Sequence, residues 1–223
     1  MTEKEKMLRG MLYDADDSAL CADRVRAKEL CHAYNQLRPS DAAGMRELLR
    51  RLLGKTGETF CMTAPFWCDY GYNIRLGEHF YANHNLVILD CAAVTFGEHV
   101  FVAPNCGFYT AGHPIDAVRR ERGLEYAYPI TVGDHVWIGG GVQVMPGVTI
   151  GSNVVIGGGS VVVKDIPSDS VAVGNPCRVI RKRFSEELIA YLEEIRWWNW
   201  DADKIFRNMD ALCSGDLEKI RRI

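Results

Sequence analysis

The chain has 223 residues, of which 48% are hydrophobic and 25% charged, and a formal net charge of -3. This is ordinary globular usage, which excludes a largely disordered chain. The near-neutral balance excludes broad nucleic-acid binding. No run of 18 apolar residues occurs, so no membrane span is expected.

The first ten residues, MTEKEKMLRG, are charged and lack the apolar centre of a signal peptide. Eight cysteines are present and none forms a CxxC pair. Together these features predict reduced thiols and a cytoplasmic location. Glycine outnumbers proline, 21 to 8, and most of the glycines fall between Gly71 and Gly174.

Residues 1–55 are predicted to be helical. Leu20, Arg24, Ala27, Leu30 and Tyr34 recur at three-to-four spacing, as an amphipathic helix requires. A break at Arg38-Pro39-Ser40 precedes a second helix, capped by Ser40 or Asp41 and ending near Leu53.

Residues 56–183 carry a repeat. Val132, Ile138, Val144, Ile150, Ile156 and Val162 stand six apart without a gap, and glycine follows four of them directly. A second set, Val136, Val142, Val148, Val154, Ser160 and Ile166, lies four residues after each. The pattern recurs upstream at Leu76, Ala82 and Ile88, then at Phe96, Val102 and Phe108 after a two-residue slip near Val94-Thr95. Neither a helix nor an alternating strand has period six. A triangular parallel β-helix does, with the opening apolar residue of each hexapeptide facing the interior and the small residue beside it letting the chain turn.

The largest interruption of the repeat lies within residues 112–130 and is rich in Asp, Glu and Arg, as a solvated loop would be. His113 leaves the repeat where this loop opens. A neutral imidazole there could serve as a general base, and position alone leaves an ordinary loop residue open as well. His79, His99 and His135 share one repeat slot and read as turn residues on the surface, whereas His84 is ambiguous. No zinc-ligand spacing, P-loop, GxSxG elbow or dinucleotide fingerprint is present. Residues 184–223 are predicted to be helical again, with a cap at Ser185 and a cluster of Trp197, Trp198 and Trp200.

Several strings carry a resemblance. Cys68-Asp69-Tyr70-Gly71-Tyr72-Asn73-Ile74, Phe80-Tyr81-Ala82-Asn83 and Thr110-Ala111-Gly112-His113-Pro114 resemble the maltose/galactoside O-acetyltransferases of the hexapeptide-repeat acyltransferases. So do Val136-Trp137-Ile138-Gly139-Gly140 and Gly174-Asn175-Pro176-Cys177-Arg178-Val179-Ile180. The resemblance covers about residues 3–183. It implies a left-handed parallel β-helix over 56–183, with an acceptor-side helical cap at 1–55.

It also implies transfer of acetyl from acetyl-CoA to a sugar hydroxyl, with no metal required. His113 would be the general base, and Asn83 would position the acceptor and the acetyl group. Asp69, Tyr81 and Arg24 would lie near the acceptor. Trp137, Gly140, Gly158, Val163 and Lys164 would line the acetyl-CoA groove, with Arg178 and Arg181 facing its phosphates. The family implies a homotrimer with sites between subunits, and neither nucleic-acid nor membrane partners.

Two departures concern the acceptor. Acidic acceptor-binding positions of the galactoside branch fall here on Ala15 and Cys91. The tail, with Phe184-Ser185-Glu186-Glu187 and the tryptophan cluster, resembles that of xenobiotic acetyltransferases acting on streptogramins or chloramphenicol. An antibiotic acceptor is therefore the alternative substrate reading. For the tail itself, a cap on the open end of the prism and a part in acceptor recognition both stand. A non-enzymatic β-helical scaffold is the competing class.

Overall fold

The computed structural model describes all 223 residues. They divide into two compact units, Met1–Arg181 and Lys182–Ile223.

The first unit opens with α1 (Glu3–Leu8), closed at its start by a reciprocal capping box between Thr2 and Glu5. A two-residue strand, Tyr13–Asp14, follows. Next comes α2 (Ser18–Gln36), capped by Asp17. Its inner face buries Leu20, Ala27, Cys31 and Tyr34, close to the predicted stripe. Then α3 (Ala42–Leu52) starts at the cap Asp41, whose carboxylate accepts the N–H of Gly44. Ala27, Cys31, Tyr34, Leu49 and Leu52 share one core with the first β coils, so these helices close the top of the solenoid.

The rest of this unit is a parallel β-helix with three faces. The first face stacks Phe60–Met62, Phe80–Ala82, Phe101–Val102, Trp137–Ile138, Val155–Ile156 and Ser170–Val173, and Arg178–Lys182 adds a last strand. The second stacks Phe66–Cys68, Leu86–Leu89, Gly107–Tyr109, Gln143–Val144 and Val161–Val162. The third stacks Ile74–Arg75, Val94–Phe96, Ile130–Val132 and Thr149–Ile150. The coil-to-coil pairs within each face are parallel. Both predicted sets of hexapeptide residues are buried, from Val132 at 1% exposure to Ile166 at 4%. Each Val and Ile among them contributes about 1.5–3 kcal/mol by leaving water.

One expectation about the repeat is sharpened and another corrected. The two-residue slip near Val94-Thr95 is a pair of extra corner residues, and the preceding coil carries the same excess. Ile74 pairs with Val94 and Phe66 with Leu86, so the early coils are simply longer than the later ones, in which Gln143 pairs with Val161. The extra residues sit at the corner between the second and third faces, at Asp69–Asn73 in one coil and Asp90–Ala93 in the next.

The correction concerns the repeat glycines. At Gly133 a Cβ would lie 2.7 Å from the backbone nitrogen of Ser152, and at Gly97 2.8 Å from the carbonyl carbon of Gly133. Glycine is needed there because stacked coils approach closely. The left-handed conformation is taken two residues later, by His79, His99 and His135 at φ near +55° and by Asn153 and Asp169. His, Asn and Asp tolerate that region better than most residues. The histidine rings stack at 4.5 and 5.0 Å, in agreement with their reading as corner residues.

The second unit contains α5 (Glu186–Ile195), α6 (Ala202–Arg207), α7 (Met209–Leu212) and α8 (Leu217–Ile220). Ser185 caps α5, and Arg196 ends it in a left-handed conformation. Trp200 donates its indole N–H to the carbonyl of Ile195, and the Lys204 ammonium lies 3.6 Å over its ring.

Candidate active site

The corner between the second and third faces is irregular in every early coil, and the candidate chemistry gathers there. Counted between inward-facing residues, Cys68 to Leu76 and Ile88 to Phe96 are longer than the regular step from Val144 to Ile150, and Phe108 to Val132 contains the long insertion.

The insertion is not a solvated loop throughout. Its tip, α4 (Ala117–Glu121), is exposed, as expected. Its second half, Leu124–Ala127, is the middle strand of a small antiparallel sheet. On one side it pairs with Ala111–Gly112, and on the other with Tyr13–Asp14 of the helical segment. The sheet ties the turn carrying His113 to the N-terminal region of the chain.

His113 is half exposed, and its Nδ1 lies 3.1 Å from the carbonyl oxygen of Leu124. A carbonyl only accepts, so Nδ1 carries the proton in the neutral ring. Nε2 then presents its lone pair outward, which is the tautomer a general base requires. The nearest carboxylate oxygen, Glu125 Oε1, is 3.9 Å from Nε2, beyond hydrogen-bonding distance. The other oxygen, Oε2, accepts a 2.5 Å hydrogen bond from the hydroxyl of buried Tyr13. Burial, Cys91 and this carboxylate hold the Tyr13 phenol far above its ordinary range, so it remains a donor.

A polar chain continues from there along the corner. The Cys91 thiol points to Asp69 Oδ2 at 3.6 Å. Burial pushes both the Asp69 carboxyl and the Cys91 thiol up. Arg24 on α2 donates to the Tyr70 hydroxyl at 2.9 Å and to the carbonyl of Ala15 at 2.7 Å. Beneath Asp69 lies Asp90, which is fully buried. Its carboxylate accepts the N–H groups of Asp69, Tyr70 and Asn73 at 2.8–3.2 Å, and so shapes the turn that carries Asp69. Burial raises the Asp90 carboxyl to about 7, against the pull of those N–H groups.

Of the residues singled out from the sequence, His113, Asp69 and Arg24 belong to this corner region. Asn83 does not. It lies at the corner between the first and second faces, with its side-chain oxygen accepting the N–H of His84 at 2.7 Å. Gly140 and Gly158 occupy the same edge, two and three coils further along. The N–H groups of Gly139 and Gly141 bond to carbonyls of adjacent coils, whereas that of Gly140 enters no coil-to-coil bond.

Tyr81 and Trp137 face outward from the first face, on either side of exposed Phe101. Val163 and Lys164 are exposed at the last second-to-third corner, on the edge that bears His113. Arg178 and Arg181 lie on the final strand, Arg178 with its guanidinium on its neighbour's carbonyl. The two edges bound the second face. Its strand Leu86–Leu89 alone spans about 10 Å at ~3.3 Å per residue. Within one chain, therefore, His113 and Asn83 stand on different edges of the prism, separated by the width of that face.

Sequence reasoning missed Glu125, Tyr13 and Asp90. Glu125 is hidden among the charges of the loop, and its partner Tyr13 is 112 positions away. Asp90 had a usable signal, because it is a lone acid within the apolar run from Leu86 to Val94.

Comparison with known proteins agrees with this architecture. Residues 6–57 match the maltose acetyltransferase hexapeptide capping motif, and residues 129–164 match six bacterial transferase hexapeptides. An acetyltransferase-named protein of Saccharomyces cerevisiae is 56% identical over 179 residues, 80% of this chain and 91% of its own. The chain belongs to the maltose/galactoside O-acetyltransferase family. It is an acyltransferase. Among solved structures, a maltose O-acetyltransferase from Clostridium difficile 630 is 50% identical, with a TM-score of 0.81 over 82% of this chain and 97% of that one. A galactoside acetyltransferase in complex with coenzyme A is 40% identical, with a TM-score of 0.80 over 83% and 96%. These acetyltransferases share the prism and the capping segment, the two parts that frame the irregular corner.

Proposed function

We propose that this acetyltransferase transfers acetyl from acetyl-CoA to a sugar hydroxyl, with His113 as general base. The observation that carries this reading is the hydrogen bond from His113 Nδ1–H to the Leu124 carbonyl, which leaves Nε2 as an open acceptor beside the Asp69–Glu125 corner. Nε2 takes the proton of the acceptor hydroxyl while that oxygen attacks the thioester carbonyl carbon. The tetrahedral oxyanion collapses, the C–S bond breaks, and the imidazolium returns the proton to the departing thiolate of CoA. The Gly140 N–H, uncommitted to any neighbouring coil, would stabilise the oxyanion. Trp137, Gly158, Val163 and Lys164 would hold the pantetheine, and Arg178 and Arg181 the phosphates. Asp69, Tyr81 and Arg24 would face the acceptor.

The separation of His113 from Asn83 supports a site assembled from two copies. In a closed threefold ring each chain would offer its His113 edge to one neighbour and its Asn83 edge to the other. The homotrimer implied by the resemblance has this form.

Two measurements test the proposal. The first is CoA release with maltose, glucose, galactosides, chloramphenicol and a group A streptogramin as acceptors. Turnover on a sugar is expected; turnover on an antibiotic alone would overturn the sugar reading. The second is complementation, in which H113A and N83A are each nearly inactive. Co-assembled in equal amounts, they should regain about a quarter of wild-type activity, because one interface in four pairs an intact His113 with an intact Asn83. No recovery from a mixed oligomer would overturn the shared site.

A further inference from the structure

Glu125 is not accounted for by the transfer chemistry. Its side chain is 22% exposed, no Lys or Arg lies within 4.0 Å of its carboxylate, and the ring of His113 is the basic group nearest to it in that range. Half of its carboxylate is anchored, because Oε2 holds the Tyr13 hydroxyl and the two residues pair directly across the strands. Oε1 is left toward Nε2 of His113 at 3.9 Å.

With Nδ1 protonated, Nε2 is itself an acceptor. The corner thus presents two fixed acceptors side by side, neither able to satisfy the other. A pair of hydroxyls fills this arrangement. Two oxygens about 3 Å apart, each donating across about 2.8 Å, bridge acceptors spaced in this way. Adjacent hydroxyls of a gauche 1,2-diol, or those of a folded 1,3-diol, meet that spacing.

We infer that Glu125 is a specificity-determining residue: Oε1 accepts a hydrogen bond from a second hydroxyl of the acceptor while Nε2 of His113 takes the reacting one. The enzyme then selects diols over isolated alcohols. The inference rests on His113 being the general base. Tyr13 acts through Glu125, as the group that fixes the carboxylate's rotamer.

The test compares kcat/KM for matched acceptors, a sugar and its analogue lacking the neighbouring hydroxyl, in wild-type enzyme, E125Q, E125A and H113A. A hydrogen bond to a charged group predicts that wild type prefers the full diol by about tenfold or more. E125A should lose that preference by slowing on the diol while keeping its rate on the deoxy analogue. E125Q, which keeps the side-chain volume, should move the same ratio in the same direction. Equal loss on both acceptors in the two Glu125 variants would mark a structural residue and overturn the inference, as would a wild-type enzyme indifferent to the second hydroxyl. H113A should lose rate on both acceptors. If it retains rate on both, the general-base reading fails, which is a different outcome from a failure at Glu125.

Discussion

Two corners of the same prism have met different demands. Between the third and first faces, every coil from Ile74 onward turns through one left-handed residue, His79, His99, His135, Asn153 or Asp169, and the histidine rings stack in a column. Between the second and third faces, no two early coils turn with the same groups. One uses Asp69–Asn73, the next Asp90–Ala93, and the third a long insertion bearing His113 and Glu125. A stacked repeat needs only a compact turn in each coil. Residues beyond that minimum are free to carry chemistry, and here they lie on one edge.

The comparison is broken most directly at His113. His113→Ala removes the proposed base and leaves the sheet pairing of Ala111–Gly112 to the backbone. Loss of a general base typically lowers turnover by about 10²–10⁴-fold. Steady-state rates on the best acceptor, with unchanged circular dichroism, are the check. A variant within threefold of wild type would detach the irregular corner from catalysis.

Asp90 sharpens the same edge from beneath. Asp90→Asn keeps the volume and replaces one of the two oxygens that accept the N–H groups of Asp69, Tyr70 and Asn73 with an NH2 group, which cannot accept. Buried donors left without a partner cost about 1–3 kcal/mol, so the melting temperature should fall by several degrees at low pH. The pH dependence has a definite sign. Burial, with a smaller contribution from the like charge of Asp69, raises the folded-state carboxyl to about 7, above its ordinary 3.8. The native state therefore binds more protons than the unfolded state between those values, and this group's contribution to stability declines as pH rises from about 4 to 7. Melting curves across that range should show the decline in wild type and its absence in D90N.

The sequence disclosed the prism because its information is local. Each hexapeptide repeats the same inward residue, and six in register leave no other period. His79, His99 and His135 were legible for the same reason, as members of one slot. The capped helices were legible through Asp41 and the stripe from Leu20 to Tyr34. The candidate site was legible only where it interrupts the repeat, which isolates His113. Its neighbours depend on pairings that no period announces: Tyr13 meets Glu125 through an antiparallel sheet closed across more than a hundred residues. The distance between Asn83 and His113 was hidden as well, because a linear motif does not show on which edge of a prism a residue lies.

The regular corner offers the smallest effect and the complementary test. His99 sits at φ +54° between the rings of His79 and His135. Replacing it with valine puts a β-branched side chain into the left-handed region, a change worth roughly 1–2 kcal/mol, and removes two ring contacts. His99→Gly removes the same contacts but accepts the backbone angle freely. The expected order of melting temperatures is therefore wild type, then H99G, then H99V. KM for both substrates and kcat should stay at wild-type values in both variants, because the left-handed column is scaffold. If instead H99V lost rate as H113A does while keeping its melting temperature, the division of labour between the two corners would be wrong, and chemistry would have to be sought along the histidine column.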